Sequence, residues 1–544
     1  MQSTDVTFPN SIRTKLRPYC RPFLILWIYA LLVHLPLLVL RLTNDLDGLW
    51  NQDDYMAGAW ELSIGRWFWP FLDKARFGVS LDPLPAVFSL ALYVLSFLLI
   101  LRLLDLAPSA LTILGGFLFL SSVGIVCQMS FGYMAITFAV SFFLAVLAVW
   151  ALLVPAKTSS ILRILLSSVC IALMMGCYQA GIGTTALVSL FVLLYSFAMP
   201  RRDSSFLPAN FSSRLRFAAK LVLSVFFGGI LYVLLLKLRL WQTGTQASDY
   251  QGFSSISPRY ILAGIPGALC HCYQTALGYF VNGTFLSNAL ERHLWFPVFY
   301  LPVLLVCLLV FIRIFRKNRA EAFLFLIVLF LIPAAANCFY LAAPETETHM
   351  QMVVSMGLIL PLLLGFAGDL TPAGCAFSKA SSNIRKLPTI LLVLDAVILI
   401  YGNILQCEMD QYAMYAGRRA TQTLAESILT EANRQGYDYI DGQLLITGAP
   451  ASSKTFYTAP LFEKANAYAQ YGRWSSDVSF SRVSWTKFYS NYLRINVSFA
   501  AGDTEATIAS LPEVAAMPSY PAAGSVQNIY GVLVVKLGGA EAVQ

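Results

Sequence analysis

FLILWIYALLVHLPLLVL, Phe23–Leu40, decides the fold of this chain. It carries no Asp, Glu, Lys or Arg and is long enough to cross a hydrocarbon core about 30 Å thick. Arg13, Lys15, Arg17 and Arg21 precede it, and no small-residue cleavage site follows. The segment therefore reads as a retained transmembrane helix and not as a signal peptide. Composition agrees: 58% of the 544 residues are hydrophobic and 12% are charged, against roughly 25% charged in soluble domains. Mean hydropathy is +0.66. This is the make-up of a polytopic membrane protein.

Working outward, further apolar runs begin near Leu84, Leu111, Met134, Ile161, Ile182, Leu221, Phe296, Glu321, Met352 and Leu387. The sequence thus predicts about eleven transmembrane helices. With the N-terminus in the cytoplasm, the basic clusters fall in cytoplasmic connections: Lys157 and Arg163; Arg201, Arg202, Arg214 and Arg216; Arg313, Arg316, Lys317 and Arg319; Lys379, Arg385 and Lys386. That is the positive-inside pattern. Tyr260–Val281 is long and apolar but interrupted by Pro266, His271 and Gln274. Counting it as a span would put the Arg313–Arg319 cluster outside, so it reads as an interfacial or re-entrant helix, 259–284. The expected topology is N-inside and C-outside. It leaves a long first outer loop, 42–81, beyond the cytoplasm.

The net charge of +8 does not indicate nucleic-acid binding, because the Lys and Arg residues lie in short clusters between apolar runs. Ten scattered cysteines, none after Cys407, imply core filling and no disulfide framework. After residue 405 the composition becomes mixed. A helical pattern, Met414–Gln435, precedes a strand at Gln443–Thr447 that ends in Gly448 and Pro450, and a second strand reads as Ile529–Leu537. The organisation expected is a membrane domain, 1–405, followed by a small α/β extracytoplasmic domain, 406–544. The fold class is mainly α.

The first loop concentrates the chemistry. It reads Asn51-Gln52-Asp53-Asp54-Tyr55, then Gly65-Arg66-Trp67-Phe68-Trp69-Pro70, and later Asp82-Pro83-Leu84-Pro85. Adjacent carboxylates suit a reaction in which a hydroxyl loses its proton, one acting as base and the other positioning the acceptor or a metal. An isolated Asp pair is more often an ordinary loop or cap feature. The aromatic and basic neighbours, at the depth where amphipathic rings collect, favour the chemical reading here. Lys237, Arg239 and Arg259 are exceptions to the charge rule on the outer face, and with Arg66 they are candidate binders of a lipid-linked phosphate. The alternative for such residues is snorkelling to lipid headgroups.

Other candidates carry less information. Glu345, Glu347 and His349 lie within one outer loop and are candidate ligands for a divalent metal, although their spacing is equally that of a solvated loop. No other cofactor is indicated. Tyr178-Gln179 is a polar pair in apolar surroundings, suited either to a sugar or to a neighbouring helix. Cys270-His271-Cys272 and His34 read as packed residues. Asp395 is an intramembrane carboxylate with no basic partner evident from sequence.

The run Asp53-Asp54, Gly65-Arg66-Trp67, Asp82-Pro83-Leu84-Pro85 resembles the first outer loop of the bacterial Gtr-type glucosyltransferases, the serotype-converting enzymes of O-antigen. Tyr178-Gln179 and the passage Thr421–Gly448 are similar to that family as well. At the start of the tenth span His349 stands where the family pattern has Arg. The resemblance implies a C-type (GT-C) membrane glycosyltransferase in the bacterial inner membrane. It would be an inverting enzyme that moves a hexose, glucose by family, from a polyprenyl-phosphate carrier to an envelope glycan on the outer face. Asp53 is then the expected base and Asp54 its positioning partner, with Tyr178, Gln179, Trp67 and Asp82 as sugar or acceptor contacts. Three other readings remain open: a transporter or flippase of lipid-linked sugars, which would line a midplane path with charge; a non-catalytic envelope assembly protein whose outer domain binds glycan; and an O-antigen polymerase or ligase.

Overall fold

A computed structural model describes residues 10–43, 47–51, 55–80, 83–153, 159–198, 206–250, 258–281, 300–344, 346–369, 382–450, 457–470 and 481–538. It is mainly helical. Among these residues six helices are long and apolar enough to cross a membrane: Leu84–Leu103, Gly132–Leu153, Ser160–Cys177, Gly181–Ala198, Phe211–Thr243 and Ile390–Arg434. The pair Ala110–Leu120 and Val123–Ser130, bent by 45° at Ser121-Ser122, is long and apolar enough only when taken together, as a broken span or a re-entrant loop.

The other expected spans take shorter or broken forms. Asn10–Val33 stops at His34, and Leu35–Leu40 restarts with Pro36 in its first turn. Arg319–Phe330 likewise gives way to Ile332–Ala336, with Pro333 in the first turn. Proline is welcome there because it has no N–H to leave unpaired, yet it cannot continue the preceding helix. Leu301–Lys317 is a shorter helix, and Met350–Leu358 is a 3₁₀ segment leading into Ile359–Asp369. Continuous crossings therefore number six, or seven with the bent pair, among the described residues.

Polar caps fix where several helices start. Ser109 accepts from the Thr112 N–H, Asn210 from the Ser213 N–H at 2.9 Å, and Asn318 from the Ala320 and Glu321 N–H groups. Each satisfies a donor that the helix cannot. Between helices the core is apolar, with Tyr93, Phe97, Phe119 and Phe142 stacked or edge-on at its centre. A half-exposed Glu321 pairs with buried Arg214 at 2.9 Å, and Arg214 also donates to Ser196. The Pro258–Phe280 helix packs on Ile332–Ala336 and Cys338–Leu341. Cys272 and Asn337 exchange hydrogen bonds across that contact, while the His271 ring meets the Pro344 carbonyl. The Cys-His-Cys tract is thus spent on packing. His34 is fully buried, with Nε2 on the Leu120 carbonyl at 3.0 Å.

One helix, Ser382–Arg434, runs 53 residues, about 80 Å at 1.5 Å per residue, and passes the compositional change at 405 without a break. It delivers the chain to a three-stranded sheet of order β1-β3-β2. β1 (Gln443–Thr447) is parallel to β3 (Val532–Lys536), and β2 (Val526–Ile529) is antiparallel to it. The strand expected at 529–537 is β3, which starts only at Val532; Ile529 instead ends β2, which the sequence reading did not include. Tyr530 and Gly531, both at positive φ, make the turn that sequence patterning alone ran through. Leu444, Ile446, Leu533 and Val535 face Leu424, Ile428, Trp485 and Tyr489. Leu445, Val532 and Val534 cover the other face with Ile508 and Val514. That alternation is what a two-sided sheet requires.

Candidate functional site

The first loop folds as three short helices, Asp47–Trp50, Ala59–Ser63 and Trp69–Ala75. Asp53, Asp54 and Asp82 lie outside the described residues, as does Glu345. Residues 47–51 and 55–80 of the loop that bears the acidic pair are described, and its most distinctive turn is at Gly65. The Arg66 N–H bonds the Glu61 carbonyl at 2.8 Å and the Gly65 N–H bonds Leu62 at 3.0 Å, a Schellman ending with Gly65 at φ 89°. Only glycine takes that conformation without strain, and it turns the chain so that Arg66 emerges from the helix end.

Arg66 then lies between two rings, with its guanidinium carbon 5.2 Å from the Tyr178 ring centre and 5.8 Å from that of Trp69. Its Nε is buried with no hydrogen-bond partner among the described residues, and one Nη lies 4.0 Å from the Met134 sulfur. Among the described residues no carboxylate lies within ion-pair distance of it. A guanidinium stacked on aromatic faces keeps its charge and its forked donors. Its forked donors are thus left largely to the two ring faces.

The turn that presents Arg66 is held from behind. Gln179 donates to the Ile64 carbonyl at 2.7 Å and to Tyr232, and the Tyr232 hydroxyl donates to the Gly65 carbonyl at 3.1 Å. The Phe68 N–H bonds the Gly176 carbonyl at 2.9 Å. A Cβ at Gly176 would stand 2.8 Å from the Trp67 ring, so glycine is what lets this loop seat on the helix end. Of the expected sugar contacts, Tyr178 faces Arg66, whereas the Gln179 amide nitrogen is engaged by protein. Trp67 is 5% exposed, packed among Leu62, Ala172, Tyr232 and Leu236.

Of the expected phosphate binders, Lys237 and Arg259 are exposed. Arg239 lies 5.1 Å over the Phe71 ring and donates to Gln242. Phe211–Thr243 thus reaches the first loop at its C-terminal end, reinforced by the Ser248 N–H on the Ser63 carbonyl and by Trp60 against Tyr250. Glu347 is exposed. Among the described residues no three His, Cys, Asp or Glu converge as a metal would require.

Asp47, Glu61, Tyr133 and His349 complete the surroundings, and sequence reasoning gave none of them a role beside Arg66. Burial pushes the Asp47 carboxyl up, outweighing Arg66 and His349, which pull it down, while Glu61 adds to the rise. Glu61 is 5% exposed and accepts from the Gly58 N–H at 2.7 Å and from the Tyr55 hydroxyl. The Tyr55 ring packs on Trp69 and Tyr133, and its N–H bonds the Gly78 carbonyl at 3.0 Å. Asn51 is held by the Asp47 carbonyl through its side chain and backbone N–H, both at 3.1 Å. Asn51 and Tyr55, the described residues on either side of 52–54, are both held in place.

The other arginine of this loop is spent. Arg76 pairs with fully buried Asp73 at 2.8 Å and donates to Ser80 and to the Tyr133 carbonyl, and Asp73 accepts from the Ala57 N–H at 2.8 Å.

Several apolar helices long enough to cross a membrane, with a cluster of aromatic and polar side chains around Arg66 in the first loop, define a membrane protein. A family model described as glucosyl transferase GtrII matches residues 42–365, more than half of the chain, and the chain belongs to that family. It is a membrane glycosyltransferase, with a sugar donor and a glycan acceptor as its substrates. No curated protein and no solved structure matches it.

Proposed function

We propose that this protein transfers glucose from a polyprenyl-phosphate carrier to an envelope glycan at the first loop, on the side of the membrane away from the cytoplasm. The observation that supports the reading is Arg66, set against the Tyr178 and Trp69 rings with no carboxylate at ion-pair distance among the described residues, in the loop that bears Asp53-Asp54. Asp53 takes the proton of the acceptor hydroxyl. The acceptor oxygen bonds to the sugar C1 as the C1–phosphate oxygen bond breaks, and the phosphate leaves on the lipid. Arg66 stabilises the charge that grows on that leaving group, and Asp54 orients the acceptor. Attack opposite the leaving phosphate inverts the anomeric centre, from a β-linked donor to an α-linked product. Arg239, Lys237 and Arg259 form the basic approach along which the lipid-linked anion arrives.

The topology belongs to the same proposal: about eleven crossings in a GT-C-like arrangement in the bacterial inner membrane, N-terminus inside, residues 406–544 outside. Arg214 bonding Glu321 gathers two basic clusters at the start of Phe211–Thr243. The first loop meets the far end of that 33-residue helix, about 50 Å away at 1.5 Å per residue. One end basic and the other bearing the site is the arrangement the positive-inside rule asks for.

Glycan isolated from wild-type and deletion strains, compared by mass spectrometry and NMR, tests the function: a glucose present only in the wild type is expected. Identical glycans would overturn it. Cysteines placed at exposed first-loop positions such as Lys74 should label from outside intact cells; labelling only after permeabilisation contradicts the topology.

A further inference from the structure

The start of the first loop is gripped, position after position, by residues some 370 to 450 places later in the chain. Gln411 donates to the Val33 carbonyl at 3.0 Å. One turn pair further along the same helix, Arg418 donates to the Leu40 carbonyl at 2.9 Å and to the Arg41 carbonyl at 3.0 Å. Arg41 is the left-handed cap of Leu35–Leu40, at φ 49° and ψ 53°, a conformation a non-glycine residue holds only where its surroundings fix it. The Arg418 guanidinium also lies 5.5 Å over Tyr492, whose hydroxyl meets Thr43 at 3.2 Å. Asn491 then donates to the Leu49 carbonyl at 3.0 Å, and the Trp50 indole N–H donates to Ser484 at 3.2 Å. Leu49 itself is buried in the core formed by Leu424, Trp485 and Tyr489. The Asp47–Trp50 helix is in effect part of the C-terminal fold.

We propose that this grip is a positioning device for the reaction, with Arg418 as its principal residue, acting through residues 40–51 on the acidic pair two residues further on. It rests on the proposed role of Asp53-Asp54. On the far side the pair is followed at once by Tyr55, anchored within the first loop by Glu61, Trp69 and Tyr133. The anchor before the pair belongs to the C-terminal residues and the anchor after it to the loop, so the C-terminal fold sets where the carboxylates stand relative to Arg66. Only a planar fork can take both the Leu40 and Arg41 carbonyls from one side chain. Lysine at 418 keeps the charge and loses that geometry.

The test uses full-length protein in nanodiscs, with a synthetic polyprenyl-phosphate glucose as donor and glycan from a strain lacking the protein as acceptor. Arg418→Ala should lower kcat at least about tenfold, since a displacement of about 1 Å can cost a hundredfold. Donor KM should stay within about twofold because Arg66 is untouched. Arg418→Lys should recover only part of the rate, and amides 47–51 should exchange faster with deuterium in both. Arg434→Ala, an exposed position on the same helix, is the control and should change nothing. Unchanged kcat in Arg418→Ala overturns the positioning role, as does a loss of rate fully accounted for by a smaller folded fraction. If Asp53→Asn still abolishes transfer in that event, the reading of the acidic pair stands. Retained transfer in Asp53→Asn overturns both.

Discussion

Arg66 and Arg76 sit ten residues apart in one loop, each after a glycine turn or a short helix end, and their fates differ completely. Arg76 has every donor occupied, by Asp73, Ser80 and the carbonyls of Tyr133 and Val79. Arg66 has two ring faces, a thioether and an unpartnered Nε. The same residue type is a strut in one place and, in the proposed reading, a receptor in the other. What separates them is the supply of acceptors nearby, which the fold sets and the residue's identity does not.

The largest expected effect falls on the strut. Arg76→Ala strands the fully buried Asp73 carboxylate without its cationic partner, and losing one member of a buried pair costs about 3–5 kcal/mol. The expected result is a lower thermal midpoint with an unchanged donor KM for the protein that still folds. A raised KM with normal stability would erase the contrast between the two arginines.

Arg66→Ala should do the reverse. Loss of a charged hydrogen bond of about 1.5–3 kcal/mol raises the apparent donor KM or lowers kcat/KM by roughly tenfold to a hundredfold, with little change in midpoint. Because the ring stacking also serves lysine poorly, Arg66→Lys should restore less than half of that loss. An unchanged kcat/KM in Arg66→Ala argues against anion binding there.

Gln179→Leu probes the support behind Arg66. Removing the bond to the Ile64 carbonyl should cost about 1 kcal/mol in stability and a several-fold loss of kcat/KM, through the turn and without a direct sugar contact. A loss restricted to acceptor KM would instead make Gln179 a substrate contact.

The smallest effect sharpens the contrast by pH. Burial holds the Asp47 carboxyl above its usual range, so its ionised form opposes folding at neutral pH. Its contribution is most favourable below the ordinary Asp value of about 3.9 and is lost as pH rises through the raised value. Asp47→Asn should therefore raise the thermal midpoint at pH 7, with the advantage vanishing near pH 4. A lowered midpoint at pH 7 would mean that Arg66 is already partnered by Asp47 and is not reserved for a ligand.

Much of the scaffold was legible in the sequence because apolar length and caps are local signals. Leu84–Leu103, Ser160–Cys177 and Gly181–Ala198 start within a residue of their expected positions, and β1 spans the expected residues. Breaks at His34, Ser121-Ser122 and Leu331 left no hydropathy signal, since the chain stays apolar while the backbone turns. In the site, Arg66 and its glycine were readable as a motif. The roles of Asp47, Glu61 and His349 beside it were not, and neither was the grip of Arg418 on Leu40 and Arg41. The approach of His349 and the grip of Arg418 depend on contacts between segments hundreds of residues apart, and that of Asp47 and Glu61 on how the loop's short helices fold back on each other, for which periodicity and spacing carry no trace. Trp67 misled for a related reason: an aromatic next to Arg66 suggests a sugar platform, but its neighbours on other helices bury it.

The account rests on the acidic pair as the machinery of transfer, with Arg66 as its anion receptor. Its most direct test is glucose transfer by full-length Asp53→Asn in nanodiscs, from a polyprenyl-phosphate glucose donor to acceptor glycan from a strain lacking the protein. Transfer should fall at least about a hundredfold, the range of a lost general base, while insertion and thermal midpoint match the wild type. Transfer at the wild-type rate by folded Asp53→Asn would contradict the account.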